Sequence, residues 1–254
     1  MRPDHGLGRR QLLRAGLAVS LVGVAPVAAL AADRLELVEL RTAQGRRVEA
    51  RMATAAVAVA PAVLLVHDAQ GLGDHALASA RMLADAGYHA LAIDLFAGRT
   101  AAAAGQAMAD ALDPGEATDM LASWMRWLVA HPSSTGRIAV VGWGLGGGWA
   151  LNASLIRPVD ATIVFYGDVA KPADQLAPLG GPLQGHFAAR DSRTSSATVD
   201  RFAAAMRAAG KAAELHRYSA DAGFADPASP TFDPISAKLA WTRSQAFLRL
   251  ALFG

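Results

Sequence analysis

The residues of this 254-residue chain whose spacing says most about chemistry are Gly142-Trp143-Gly144-Leu145-Gly146-Gly147-Gly148, which directly follow the apolar run Ile138-Ala139-Val140-Val141. An apolar run that breaks into glycines and resumes as Leu145 to Leu155 predicts a buried strand, a tight turn and a helix. Such a turn holds its central residue at a strained backbone angle, exposed at the helix N-terminus, where the first N–H groups of the helix face any negative charge that develops. Acyl transfer at a site of this kind needs a nucleophile, a base to take its proton and an acid to orient the base. The central position here is Gly144, and no serine or cysteine occurs from 142 to 148. Glycine is by itself accounted for as a residue that tolerates positive φ. Other candidates are His67-Asp68, after the apolar run Ala62 to Val66, and Asp191, at the end of His186-Phe187-Ala188-Ala189-Arg190-Asp191. His67 also reads as a satisfied structural histidine, and Asp191 as a carboxylate that anchors a loop.

The elements that must position these groups are legible from texture. Leu35-Glu36-Leu37-Val38-Glu39-Leu40 alternates apolar and acidic residues, as a half-buried edge strand does, and Arg46 to Met52 is its antiparallel partner across the Gln44-Gly45 turn. Ala62 to Val66, Ala90 to Ile93, Ile138 to Val141 and Ala161 to Phe165 are continuously apolar, the pattern of strands covered on both faces. Between them lie helices: one capped by Asp74 and stopped by Gly87, one from Glu116 to Ala130, and later ones over Ser196 to Ala209 and Pro234 to Leu252. Strands alternating with helices give an α/β domain with a mostly parallel central sheet flanked by helices and right-handed crossovers. Its ligand crevice lies beyond the carboxyl ends of the strands. That places His67 to Gln70, Asp94 to Arg99, Gly142 to Gly146 and the loops around Asp191 and Asp221 on one rim.

Several blocks in order carry a specific resemblance. Gly142-Trp143-Gly144-Leu145-Gly146-Gly147 resembles the Gly-aromatic-Cys-Leu-Gly-Gly turn of the dienelactone hydrolases, a family of the α/β-hydrolase fold. Val66-His67-Asp68-Ala69-Gln70-Gly71-Leu72 is similar to that family's Val-His-Glu-x-x-Gly-Leu segment. Ala86-Gly87-Tyr88-His89-Ala90-Leu91-Ala92-Ile93-Asp94-Leu95-Phe96 resembles its Gly-Tyr-x-Ala-Leu-x-x-Asp-Leu-Tyr/Phe strand, and Phe165-Tyr166-Gly167 and the closing Ala240-Trp241 helix also fit. The resemblance covers roughly residues 35 to 250. It implies an ester or enol-lactone hydrolase ancestry, with Gly144 at the nucleophile position and Ala222 at the base position of Asp221-Ala222-Gly223-Phe224. Asp191 would be the surviving acid, and Asp68 stands where the family has a glutamate. The N–H groups of Ala69 and Leu145 would form the oxyanion pocket, and Arg99 lies near an arginine that the family uses for substrate carboxylates.

The N-terminus reads as an address label. Arg9-Arg10 precedes Leu12-Leu13, residues 15 to 31 are uncharged, and Ala29-Leu30-Ala31 is a small-x-small exit. This pattern predicts a twin-arginine export signal over 1–31, a mature domain over 32–254 and a periplasmic or secreted location. The apolar stretch is short and Ala-rich, so no stable membrane anchor is expected after cleavage. The overall formal charge of +2 belongs to the signal; residues 32–254 carry a net of −1, and no basic face for nucleic acid is implied. There is no cysteine, hence no disulfide and no thiolate ligand, and no histidine pair has ligand spacing, so no metal and no organic cofactor is expected.

Two of the three acyl-transfer roles are thus empty. The sequence supports a domain that lacks standard triad chemistry and binds a small carboxylate, ester, lactone or other carbonyl compound. Two alternatives stand beside it: a hydrolase in which His67, Asp68 or Asp191 activates water without a covalent step, and an envelope scaffold or partner-binding protein.

Overall fold

The structure is a computed structural model that describes residues 35–98 and 105–254; the leader expected over 1–31 and Arg99 lie outside the described residues. Strands β1 (Glu36–Arg41) and β2 (Arg47–Ala53) form the expected antiparallel edge, paired from Glu36↔Met52 to Arg41↔Arg47. The strands β3 (Ala60–Val66), β4 (His89–Ile93), β5 (Ser134–Trp143), β6 (Ala161–Phe165), β7 (Leu183–Ala188) and β8 (Ala213–Tyr218) run parallel to one another. The eight-stranded order is β1-β2-β4-β3-β5-β6-β7-β8. This is the expected α/β-hydrolase architecture. The chain leaves β3 to one side for β4 and crosses to the other for β5, so the ends of β3 and β5 flank a topological switch point, where α/β sheets bind ligands.

Helices cover both faces, which is why β3, β4 and β6 are buried along their whole length. Helices α1 (Asp74–Asp85) and α7 (Pro234–Phe253) pack on one face through Ala80, Leu83, Ala240, Phe247 and Leu248. Helix α2 (Gly105–Asp110) is short. On the other face lie α3 (Pro114–Ala130), with Met120, Leu121, Trp124 and Leu128 inward, and α4 (Leu145–Ile156). Beside them are α5 (Ala173–Leu176) and α6 (Ser196–Ala208), which bury Leu176, Val199, Phe202 and Met206. Asp74 does not cap α1. Gly73 occupies that position without a side-chain bond, and Asp74 is the first helical residue, where its charge still suits the positive helix end. Helix α3 begins two residues earlier than the apolar spacing suggests, because Pro114 starts it and the Asp113 carboxylate accepts from the Glu116 N–H at 2.8 Å.

Strand β7 escapes the apolar-run rule because it carries Gln184 and His186 into the core, where each finds a partner. His186 contacts the Tyr218 hydroxyl at 2.8 Å through Nδ1, and Gln184 Oε1 and Ser244 Oγ at 3.0 and 2.9 Å through Nε2. Burial, with smaller contributions from His216 and Arg243, holds its pKa down to about 3. An unfolded histidine takes up its proton near pH ~6.5. Between those values the unfolded chain binds the extra proton, so this group destabilises the fold progressively as pH falls below about 6.5, by up to ~1.4 kcal/mol per pH unit. Urea unfolding followed from pH 7 to pH 4 should show that loss, and the His186→Gln variant should show a shallower slope by one proton. An unchanged slope would assign the acid sensitivity to other groups.

Candidate functional site

The glycine turn after β5 has the strained geometry that a nucleophile-bearing turn requires, with φ +51° and ψ −115° at Gly144. Two backbone bonds pin it: the Gly144 N–H donates to the Phe165 carbonyl at 2.9 Å, and the Gly144 carbonyl accepts from the Gly147 N–H at 3.0 Å. Close backbone contact explains the neighbouring glycines. A Cβ on Gly142 would lie 2.0 Å from the Gly146 carbonyl oxygen, and one on Gly146 would lie 2.2 Å from the oxygens of Val66 and His67. Gly144 is different. A Cβ there would meet only the Asp68 Cβ, at 3.4 Å, so the position is open to a side chain and lacks one.

Asp68 therefore sits over the vacant position. Its Oδ1 accepts from the Gln70 N–H at 2.7 Å. Burial raises its pKa, the Gln70 N–H opposes the rise, and Asp226 adds to it as a second negative charge. His67 is buried and spent on the backbone. Its Nδ1 lies 2.6 Å from the Asp68 carbonyl oxygen and must donate to it, while Nε2 accepts from the Leu95 N–H at 3.0 Å. That assignment fixes the neutral tautomer. The Asp94 carboxylate stands 3.5 Å from Nε2 but takes its hydrogen bonds from the Phe96 and Gly98 N–H groups, at 2.9 and 2.7 Å.

The other expected positions are shaped as loop anchors. Asp191 is buried, and its Oδ1 accepts from the Arg193 N–H at 2.8 Å. Ala222 lies on the loop after β8 and offers only its carbonyl, which accepts from Thr231 Oγ1 at 2.6 Å. Its neighbour Asp221 points to solvent and pairs with Arg190 at 2.8 Å. Among the described residues, the N–H groups of Ala69 and Leu145 have no protein acceptor, so both donors stay open at the end of β3 and the start of α4.

Three functional candidates were not singled out from sequence. His75 and Asp226 line a cleft of about 460 Å³ together with Asp68, Trp143 and Ser229, and the same two residues line an adjoining apolar slot of about 430 Å³. The His75 ring meets Trp143 edge-on at 4.9 Å. Burial lowers its pKa, against the pull of Asp226 and Asp68, so the imidazole tends to be neutral. The third is Tyr166, 6% exposed, with φ +39° and a buried hydroxyl that has no hydrogen-bond partner. Burial raises its pKa, and the negative charges of Asp68 and Asp226 add to the rise; the Ala225 backbone approaches without meeting hydrogen-bond geometry. A left-handed aromatic residue with an orphaned hydroxyl concentrates two costs at one point. Their only sequence signal was membership of the Phe165-Tyr166-Gly167 block and of the segments after β3 and β8.

Comparison with known proteins agrees with the fold. The dienelactone hydrolase family profile matches residues 48–252. A lactonase of Bradyrhizobium, designated for 2-oxo-3-(5-oxofuran-2-ylidene)propanoate, is 26% identical over 211 residues, 76% of this chain and 85% of its own. A protein of Saccharolobus solfataricus designated a carboxymethylenebutenolidase is 31% identical over 114 residues, so that match spans 44% of each chain. Among solved structures, a dienelactone hydrolase-like promiscuous phosphotriesterase from metagenomic libraries superposes with a TM-score of 0.77 at 21% identity, covering 86% of this chain and 99% of its own. A Klebsiella pneumoniae protein designated a dienelactone hydrolase gives 0.73 at 22%, covering 84% and 98%. At these identities the structural likeness is one of fold.

The turn makes a stability prediction. Gly144→Ala should fold and cost ~1–3 kcal/mol, because space is available and only the backbone angle is penalised. Gly146→Ala should cost more, because the added carbon strikes two carbonyl oxygens. Chemical denaturation of both variants reads the difference; equal losses would mean that the position at Gly144 is closed.

Proposed function

From the premise that this chain belongs to the dienelactone hydrolase family, we propose that it binds a small carbonyl compound between Gly144 and the cleft that Asp68 lines, and forms no acyl-enzyme. The observation that carries this reading is the turn itself: φ +51° and ψ −115° at a residue with no side chain, open toward Asp68. The fold keeps the frame that presents a nucleophile and omits the nucleophile. Ala222 leaves the base role empty as well. The open N–H groups of Ala69 and Leu145 still suit a carbonyl oxygen, whose lone pairs would satisfy donors that are costly to leave unpaired.

The charge lining the cleft narrows the ligand. Asp68, Asp74 and Asp226 all face it, and among the described residues no ion pair neutralises any of them. A free carboxylate would meet like charge there, whereas an ester, lactone or ketone would not. A second reading is hydrolysis by water without a covalent step. His67 has no nitrogen to spare for it, which leaves Asp68, raised by burial and nearest the open position, as the base. On the Arg9-Arg10 pattern we place the protein in the periplasm or outside the cell.

Steady-state hydrolysis of p-nitrophenyl acetate and of a dienelactone tests the reading. Wild-type protein should give no turnover above buffer, and Gly144→Ser combined with Ala222→His should give measurable turnover, since nucleophile and base return to an intact frame. Wild-type turnover that scales with protein and is lost in Asp68→Asn would establish the water mechanism instead.

A further inference from the structure

Helices α1 and α7 pack side by side on one face of the sheet, and their N-terminal halves bring small residues to the same place: Ala78 and Ser79 from α1, Pro234 and Ala237 from α7. Side chains this short leave the space between the helices unfilled, and the result is the apolar slot of about 430 Å³. Its floor is built at the ends of β5 and β6, where Trp143 and Phe165 stack with ring centroids 5.6 Å apart and planes 24° from parallel. Close-packed interiors hold few voids of this size, and each unfilled wall forfeits dispersion contacts. The slot has the volume and lining of a small-molecule site.

Two further observations say what fits it. First, large apolar side chains stand exposed at the slot: Met82 on α1 at 43% and Phe232 before α7 at 38%. A hydrocarbon occupant would take both out of water, and an apolar space gives water too few partners to hold it. Second, the acids of the slot, Asp74 and Asp226, both lie on the border that it shares with the cleft, together with His75, Trp143 and Ala228. Lys238 borders the slot as an exposed residue, and a lysine beside apolar surface lays its carbon stem there while its charge stays in water. The slot is thus apolar away from the cleft and polar where it joins it.

Trp143 ties the two cavities to the glycine turn. It lines both of them and directly precedes Gly144, whose open side faces Asp68 in the cleft. A ligand whose carbonyl lies on the Asp68 side of the cleft therefore has a continuous path past Trp143 into the slot.

We infer that the slot holds the hydrocarbon substituent of the ligand, alkyl or aryl, and that Phe232 and Trp241 determine which substituents are accepted. This inference rests on the carbonyl reading and narrows its ligand class to neutral ketones, esters or lactones with an extended apolar substituent.

Calorimetric titration of the purified full chain with 2-butanone, 2-hexanone and 2-octanone tests it, since methyl ketones bind without being hydrolysed. Affinity should rise about fourfold with each added methylene. Phe232→Ala, a change at an exposed position that lines the slot and not the cleft, should weaken 2-octanone about tenfold and leave 2-butanone unchanged. Ala237→Phe, which fills the slot, should abolish the dependence on chain length. Ketones that bind equally at every chain length would overturn the inference and leave the carbonyl reading intact. A dependence on chain length that neither variant alters would place the substituent elsewhere and also overturn it. Failure of all three ketones to bind would overturn the carbonyl reading, and the inference with it.

Discussion

The approach of the N-terminus of α4 to the ends of β3 and β6 is the contact on which the site depends. Gly146 lies where any side chain would strike the carbonyl oxygens of Val66 and His67, and Gly147 lies with its α-carbon against Gly167 after β6. These backbone-to-backbone contacts leave no slack in the turn, so Gly144 is driven to positive φ and its open side faces Asp68. The strain arises from packing, not from the residue that bears it. It would be present with a serine or cysteine at 144, and glycine relieves it. A frame of this geometry therefore carries glycine at its centre, and the open N–H groups of Ala69 and Leu145 stand beside it.

Electrostatics then decides what such a frame can hold. His67 might be expected to share in the chemistry, but both of its nitrogens are committed to backbone, and its task is to tie the loop after β3 to the loop after β4. Asp191 is likewise tied to its own turn. The cleft is lined instead by Asp68, Asp74 and Asp226, which no described lysine or arginine pairs, and by His75, whose pKa burial lowers. Three unpaired acids in the cleft disfavour an anion, which is the ground on which a neutral carbonyl ligand is proposed.

The sequence reveals much of this and conceals the rest for identifiable reasons. Parallel strands buried on both faces read as apolar runs, so β3, β4, β5 and β6 are visible, and the vacancy at Gly144 is visible because the glycine turn is a local pattern. Strand β7 is hidden because Gln184 and His186 are buried yet satisfied by residues from β8 and α7, a pairing that no local window contains. The meeting of Asp226 with Asp68 in one cleft is hidden for a similar reason. Each is unremarkable in its own segment, and only the sheet order brings the loops after β3 and β8 to one cleft. Ala222 reads as a missing base from its place before Gly223-Phe224, but the acid four residues later gives no sign that it faces the same cleft.

The most direct test of the central claim, an intact frame without a nucleophile, is pre-steady-state mixing of p-nitrophenyl acetate with protein in molar excess. An acyl-enzyme releases p-nitrophenol in a burst that counts sites. The account predicts no burst, with a trace that follows the buffer rate and an unchanged protein mass afterwards. A burst stoichiometric with protein, together with a mass increase of one acetyl group, would show that a side chain of this chain acts as nucleophile and would contradict it.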